Sequence, residues 1–382
     1  MLNRRALSTF ALAIMSILLC GQGYSRLDPA QALLAKIGAL PFGYGQHTLG
    51  GCLEAGCKCE VTTLNDTGPG SLRSCVESDV PKWVVFGEGG RGTIELETPL
   101  YVGSNTTIDG RGPLPVTIQR AVGHVMYIRD RENVIVNDLE FRLVPKKQRC
   151  RTPKTAADTI GCGGGIAISG KSRNVWIHQN QFARCGGKCV SVWTDGSRDA
   201  AAGGDLITIS GNLFKDSFYG ALVGANHDLK ENQIPLMRVT FYRNVFDNIV
   251  RRSPRASELS RVHVLNNVVK NWGNNSCAGG EAFGASSKTG AQLFSENNLF
   301  SARIVGTCKV ATYIEGGYIK ATGNVASNGA ILRQKWPAGV FDPKKAAPEY
   351  YEYAPLPMTS EMQLDVENSV GPRLGGPVPE IP

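Results

Sequence analysis

The sequence predicts an all-β protein, a right-handed parallel β-helix, on three observations. First, short alternating strands recur and end in Asn: "NVWIHQNQF", "LITISGNLF", "RVTFYRNVF", "RVHVLNNVV", "QLFSENNLF" and "YIKATGNVA", with Asn180, Asn212, Asn244, Asn267, Asn298 and Asn324 in the same place. Second, the spacings of 32, 32, 23, 31 and 26 residues suit stacked coils, each burying its inward face only against its neighbours. Third, 45 glycines and the asparagines at strand ends supply tight turns. A propeller needs about four strands per repeat and a sandwich shows no such register. Asparagine tolerates left-handed backbone angles, so the repeated Asn is expected at the bend itself, and stacked asparagines can hydrogen-bond from coil to coil.

In chain order, residues 1–25 read as an export signal: "MLNRR" is basic, "ALSTFALAIMSILL" is apolar but short for a membrane span, and "GYS" offers small residues for cleavage. Residues 26–59 read as an N-terminal cap, with "DPAQALLAKIGAL" as a short amphipathic helix. The β-helix is expected over 60–333, with "NVIVNDLEF" as an earlier repeat carrying Leu139 at the Asn place. Residues 334–382, rich in Pro, Tyr and Glu, are expected to pack along the outside. Of eleven cysteines, ten remain once the signal is removed; an even count in an exported chain reads as disulfides, with Cys277–Cys308 about one coil apart and Cys185–Cys189 closing a Gly-Gly turn.

The formal charge of +8 points to a polyanionic partner. Nucleic acid is set aside, since the chain has no long Lys/Arg run and no zinc-finger or helix-turn-helix spacing. Apart from the signal, no apolar stretch nears spanning length. The expectation is a secreted or periplasmic monomer that binds an acidic polysaccharide and no membrane.

"VTTLNDTGPGSLRSCV", "GTIELETPLYVGSNTTIDGRG", "NVWIHQNQF" and "VRRSPRASELSRVHVLNN" together resemble the pectate and pectin lyase family of polysaccharide lyases, over roughly residues 60–330. The resemblance implies the parallel β-helix fold and β-elimination on polygalacturonate. A base removes the C5 proton of a uronate, the C4 oxygen leaves, and positive charge stabilises the carboxylate-delocalised carbanion. It makes Arg252, which opens R-S-P, the base. Arg251 and Arg255 are the neighbours that depress its pKa, and Pro254 helps aim it.

The pattern also fails in places. The family's calcium carboxylates fall on Gly163, Gly165, Gly187 and Ser191, a substrate Lys falls on Tyr219, and a second substrate Arg falls on Ser257. Arg255 is expected to take over the last role, and Arg184 or Lys188 to supply a tethered positive charge in place of metal. The cofactor expectation is therefore none, with Ca2+ as the alternative; Asp195, Asp199 and Asp205, with Asp158 nearby, are weak candidates for a rebuilt site. Rival readings are a non-catalytic β-helix that binds acidic glycan, a lyase acting on another uronate polymer, and a glycoside hydrolase. The hydrolase lacks support, because no paired-carboxylate motif is present and "NHD" offers only His227 and Asp228.

Overall fold

The structure, a computed structural model, describes residues 41–51, 56–143, 163–194, 203–224, 236–273, 282–337 and 351–373. The export signal, the expected cap helix at 28–40, Cys277, the Asp195 and Asp199 candidates and the "NHD" segment lie outside the described residues.

The strands coil as the repeat predicts. Ten strands, from Lys58–Val61 to Tyr318–Thr322, stack in sequence order as one parallel face. Two further parallel runs form the other faces and join at the twelve-residue strand Leu213–Gly224, whose first half belongs to one run and second half to the other. Inward positions hold identical chemistry coil after coil. Phe141, Phe182, Phe214 and Phe246 are in register, with ring centroids 4.9, 5.1 and 4.5 Å apart and planes within 10° of parallel. Stacking of this kind contributes beyond simple apolar burial.

The repeated asparagines form a ladder at one corner. The backbone N–H groups of Asn180, Asn212, Asn244, Asn267 and Asn298 each donate to the Oδ1 of the next ladder Asn, at 2.8–3.0 Å. Their side-chain amides donate to main-chain carbonyls, as Asn244 Nδ2 does to the Ile209 oxygen at 2.9 Å. Leu139 ends the ladder, its N–H donating to Asn180 Oδ1 at 3.0 Å. One expectation is corrected here. The left-handed residue is the one before each ladder position: Asp138, Gln179, Gly211, Arg243, Asn266, Asn297 and Gly323 all have φ between 50° and 63°. The ladder asparagine is selected for its amide, which alone offers a donor and an acceptor at the right reach.

Both ends of the described chain lie on the outside. Residues 43–45 cross the ten-stranded face, where Tyr44 N–H donates to Thr240 Oγ1 and Gly45 N–H to Thr208 Oγ1. Tyr351 joins them, buried and bonded to Thr240 at 3.0 Å. The helix Ser360–Ser369, capped by Thr359, buries Val366 against Val245, Val268 and Leu299. At the C-terminal end of the stack, single bridges pair Ile319 with Lys335 in antiparallel sense and Val310 with Ile331 in parallel sense.

Cys59 and Cys75 form a disulfide, and Cys57 and Cys308 are also disulfide-bonded. Cys185 and Cys189 depart from expectation: both are buried free thiols, hydrogen-bonded to each other. The turn points both sulfurs into the apolar core, and burial pushes the Cys185 thiol well up, which disfavours the reactive thiolate. No helix among the described residues is long and apolar enough to cross a membrane.

Candidate active site on the groove face

Eight strands make one face: β1 (Leu100–Tyr101), β2 (His124–Arg129), β3 (Gly164–Ser169), β4 (Lys188–Trp193), β5 (Leu213–Gly224), β6 (Arg255–Ala256), β7 (Ala285–Lys288) and β8 (Thr312–Glu315). Their alternation sends Ile166, Val190, Ala221 and Ala256 into the core. Outward residues fall in rows across the strands. One row runs Tyr101, Tyr127, Ala167, Ser191, Leu222, Arg255, Ser286, Tyr313. Another brings Lys188 beside Tyr219 and Tyr219 beside Arg251.

Arg252 stands just before β6, at φ 70°, a left-handed conformation that costs a non-glycine residue on the order of 1 kcal/mol. The flanking coils hold it there. Its carbonyl accepts from Ala221 N–H at 2.7 Å, the Ser253 N–H donates to the Gly284 oxygen, and the Pro254 oxygen accepts from Ser286 N–H; the Ser253–Pro254 peptide is cis. Gly220 permits the approach, since a Cβ there would lie 2.5 Å from the Arg252 oxygen.

The side chains converge. The Arg252 guanidinium lies 4.2 Å from the centre of the Tyr219 ring. Arg251 lies 4.9 Å from that ring and 5.2 Å from Phe218, and donates to the Tyr219 hydroxyl at 2.8 Å. Cation–aromatic contacts hold the cations without neutralising them. Burial above all drives the Arg252 pKa down to about 10; Tyr219 opposes it, Arg255 and Arg251 add to the lowering, and Glu315 opposes least. Arg252 Nε is buried and lacks a hydrogen-bond partner among the described residues. Burial and then Arg252 also lower the pKa of Lys188.

The other sequence candidates separate. Arg255 is buried and committed, donating to Glu315 Oε2 at 2.7 Å and to Ser257 Oγ at 3.3 Å. Tyr219 is buried, a platform for two arginines. Arg184 stands exposed at the corner before β4. Asp205 sits on the ten-stranded face in a two-pronged pair with Arg238, at 3.0 and 2.6 Å.

The positions that would carry calcium ligands do not fit a metal. A Cβ at Gly163 would lie 2.0 Å from Leu143 Cδ2, and one at Gly165 would lie 2.3 Å from the Cys189 oxygen. Between them, a Cβ at Gly164 would meet the His124 ring at 2.6 Å, and His124 Nε2 lies 3.5 Å from Ser191 Oγ. An imidazole and packed backbone fill the space. Among the described residues no group of three His, Cys, Asp or Glu side chains is arranged to hold a metal ion.

Sequence reasoning missed His124. Its pKa falls to about 4 through burial, with Lys188 and Arg120 adding to the effect, so it is neutral near pH 7. It comes from β2, two strands from Lys188, and no local motif marks it. Its nearness to Ser191 is a product of register alone.

The sequence model of the pectate lyase family matches residues 96–373. The Arabidopsis thaliana protein named "Probable pectate lyase 16" is 32% identical over 305 residues, covering 76% of this chain and 71% of that protein. "Pectate lyase" of Nicotiana tabacum is 31% identical over 309 residues, covering 76% and 68%. A further Arabidopsis thaliana relative is 28% identical over 270 residues, and there the chain spans 60% of the relative's length. Among solved structures, the cedar pollen allergen jun a 1 superposes with a TM-score of 0.64 at 22% identity, covering 87% of this chain and 92% of that one. A Bacillus sp. N165 pectate lyase in complex with trigalacturonate gives a TM-score of 0.58 at 20% identity, covering 87% and 98%. These structural likenesses speak for the fold.

Proposed function

Because the chain belongs to the pectate lyase family, we propose that it cleaves a pectate-type polyuronate by β-elimination, with Arg252 as the base and side-chain cations in place of a metal. Neutral Arg252 takes the C5 proton and becomes guanidinium. The C5–H electron pair forms the C4–C5 double bond, and the C4–O bond breaks, its oxygen leaving with a proton from water. Lys188 balances the second negative charge that grows on the uronate carboxylate, and Arg251 adds to the same field. Arg255 acts at one remove, keeping Arg252 easier to deprotonate while Glu315 holds it in place.

The observation that carries this reading is the Arg252 guanidinium, surrounded by Lys188, Arg251 and Arg255 and, among the described residues, without an ion-paired carboxylate of its own. A structural arginine at such a depth is normally paired. An uncompensated one is positioned for an incoming anion. Relatives bearing the name pectate lyase, and a neighbour crystallised with trigalacturonate, support the substrate class. The disulfide Cys59–Cys75 and the leader-like first 25 residues support export.

The test follows absorbance of the unsaturated product from polygalacturonate and from methylated pectin, each with and without chelator. Turnover that persists in chelator supports the reading. Loss in chelator with rescue by calcium overturns the metal-free part, and no unsaturated product from either polymer overturns the lyase.

A further inference from the structure

Two aromatic rings on the groove face have no part in the chemistry above. Tyr101 on β1 and Tyr127 on β2 are cross-strand neighbours, with ring centroids 5.4 Å apart and planes 13° from parallel. They lie in the same outward row as Arg255, four and five strands towards the N-terminal end of the stack. Tyr101 is 53% exposed, although an apolar ring so placed would ordinarily be covered.

The pair is held rigidly. The Tyr101 N–H donates to Glu77 Oε1 at 3.0 Å, and Glu77 is fixed by Arg73 at 2.6 Å. Arg73 is held in turn by Asp66 and by the carbonyls of Thr98 and Pro99. The Tyr127 hydroxyl meets His124 Nδ1 at 3.3 Å. Cations stand beside the rings. Arg129 follows Tyr127 by two residues on the same strand, and Arg120 donates to the His124 and Glu97 oxygens at 3.0 and 3.3 Å, with its Nε buried and without a hydrogen-bond partner among the described residues. A flat, rigid aromatic face flanked by arginines suits one ligand chemistry, a sugar ring that carries a carboxylate.

We propose that Tyr101 and Tyr127 form a distal subsite that stacks a sugar of the same acidic polysaccharide chain held at Arg252, with Arg120 and Arg129 facing its carboxylate. This rests on reading the groove as uronate-binding. Adjacent strands lie about 4.8 Å apart, so Tyr127 is about 19 Å and Tyr101 about 24 Å along the groove from Arg255. A pyranose advances a chain by about one such spacing, so a trimer seated at Arg252 ends short of the rings and an octamer reaches them. The subsite makes affinity depend on chain length.

Calorimetric titration with trigalacturonate and octagalacturonate tests this, in an Arg252→Lys background so that the ligand survives. With Tyr101 present, the octamer should bind about tenfold more tightly than the trimer, the scale of one good aromatic stack. Tyr101→Ala should bring the two affinities within about twofold of each other by weakening the octamer alone, and Tyr101→Phe should restore the gap. An unchanged octamer-to-trimer ratio in Tyr101→Ala overturns the proposal. Equal weakening of both ligands also overturns it, because that marks a structural role. If the same titrations find neither oligomer binding when Tyr101 is intact, the uronate reading fails and the subsite fails with it.

Discussion

At the corner lined by Asn180, Asn212, Asn244, Asn267 and Asn298, each side-chain amide has both a donor and an acceptor partner. On the groove face, in the same coils, Arg252 holds a buried Nε with no such partner among the described residues, and Lys188, Arg251 and Arg252 crowd like charges together. Both are polar groups removed from water, and removal is costly unless it is matched. The ladder is matched internally and builds the coil. At Arg252 the Nε is left unmatched among the described residues, and the coil bears the cost. The difference teaches where the proposed ligand would find an unmatched group: at Arg252, and not at a corner that satisfies itself this fully.

The contrast can be broken most severely at its centre. Arg252→Lys should cut kcat by about a thousandfold while the unfolding midpoint stays put, because lysine keeps the charge and loses the planar fork. Near-normal turnover in a well-folded variant would remove Arg252 from the role of base. Next in size, Lys188→Gln should lower kcat by about a hundredfold, the scale of losing one electrostatic stabiliser, with added calcium failing to compensate. Arg184→Gln should stay within about twofold, and steady-state kinetics on the two proteins side by side decides between them.

On the other side of the comparison, Asn244→Ala should cost about 2 kcal/mol in denaturant unfolding, since it strips side-chain partners from the coils before and after it. Activity per folded molecule should survive. An unchanged midpoint would mean the ladder is ornamental. The last check is in pH. With Arg252 near pKa 10, roughly one molecule in a thousand holds it neutral at pH 7, and that fraction rises tenfold per unit. The kcat/KM should therefore climb from pH 7 to 9 and flatten near 10; a profile falling over that range contradicts a guanidine base.

Much of this was legible in the chain because coil spacing is a local property. The Asn-to-Asn intervals gave the stack and the ladder; Arg252 was singled out through the family resemblance of its R-S-P turn, and its role stays a proposal. What escaped was set by register between distant coils. His124 meets Ser191 across 67 residues, and no pattern near either announces it. Arg255 was expected to hold substrate, and its pairing with Glu315 60 residues on could not be read from the turn. The left-handed residue was placed one position late, because the amide's bonding and the backbone's bend were credited to a single asparagine when two neighbours share the work. Cys185 and Cys189 were paired on count and spacing, which say nothing about whether two sulfurs face the core.

The bridges at the end of the stack, Ile319 to Lys335 and Val310 to Ile331, have a consequence for colloidal behaviour. A stack of parallel coils is a template, and its last strand offers the next one a full row of open main-chain groups. Without a terminator, one molecule's final coil could seed another's first, and the solenoid would become the subunit of a filament. Residues 331–335 occupy part of that row with single bridges, one of them reversed in direction. Among the described residues these bridges interrupt the row that another copy would have to extend, in a fold built on repetition.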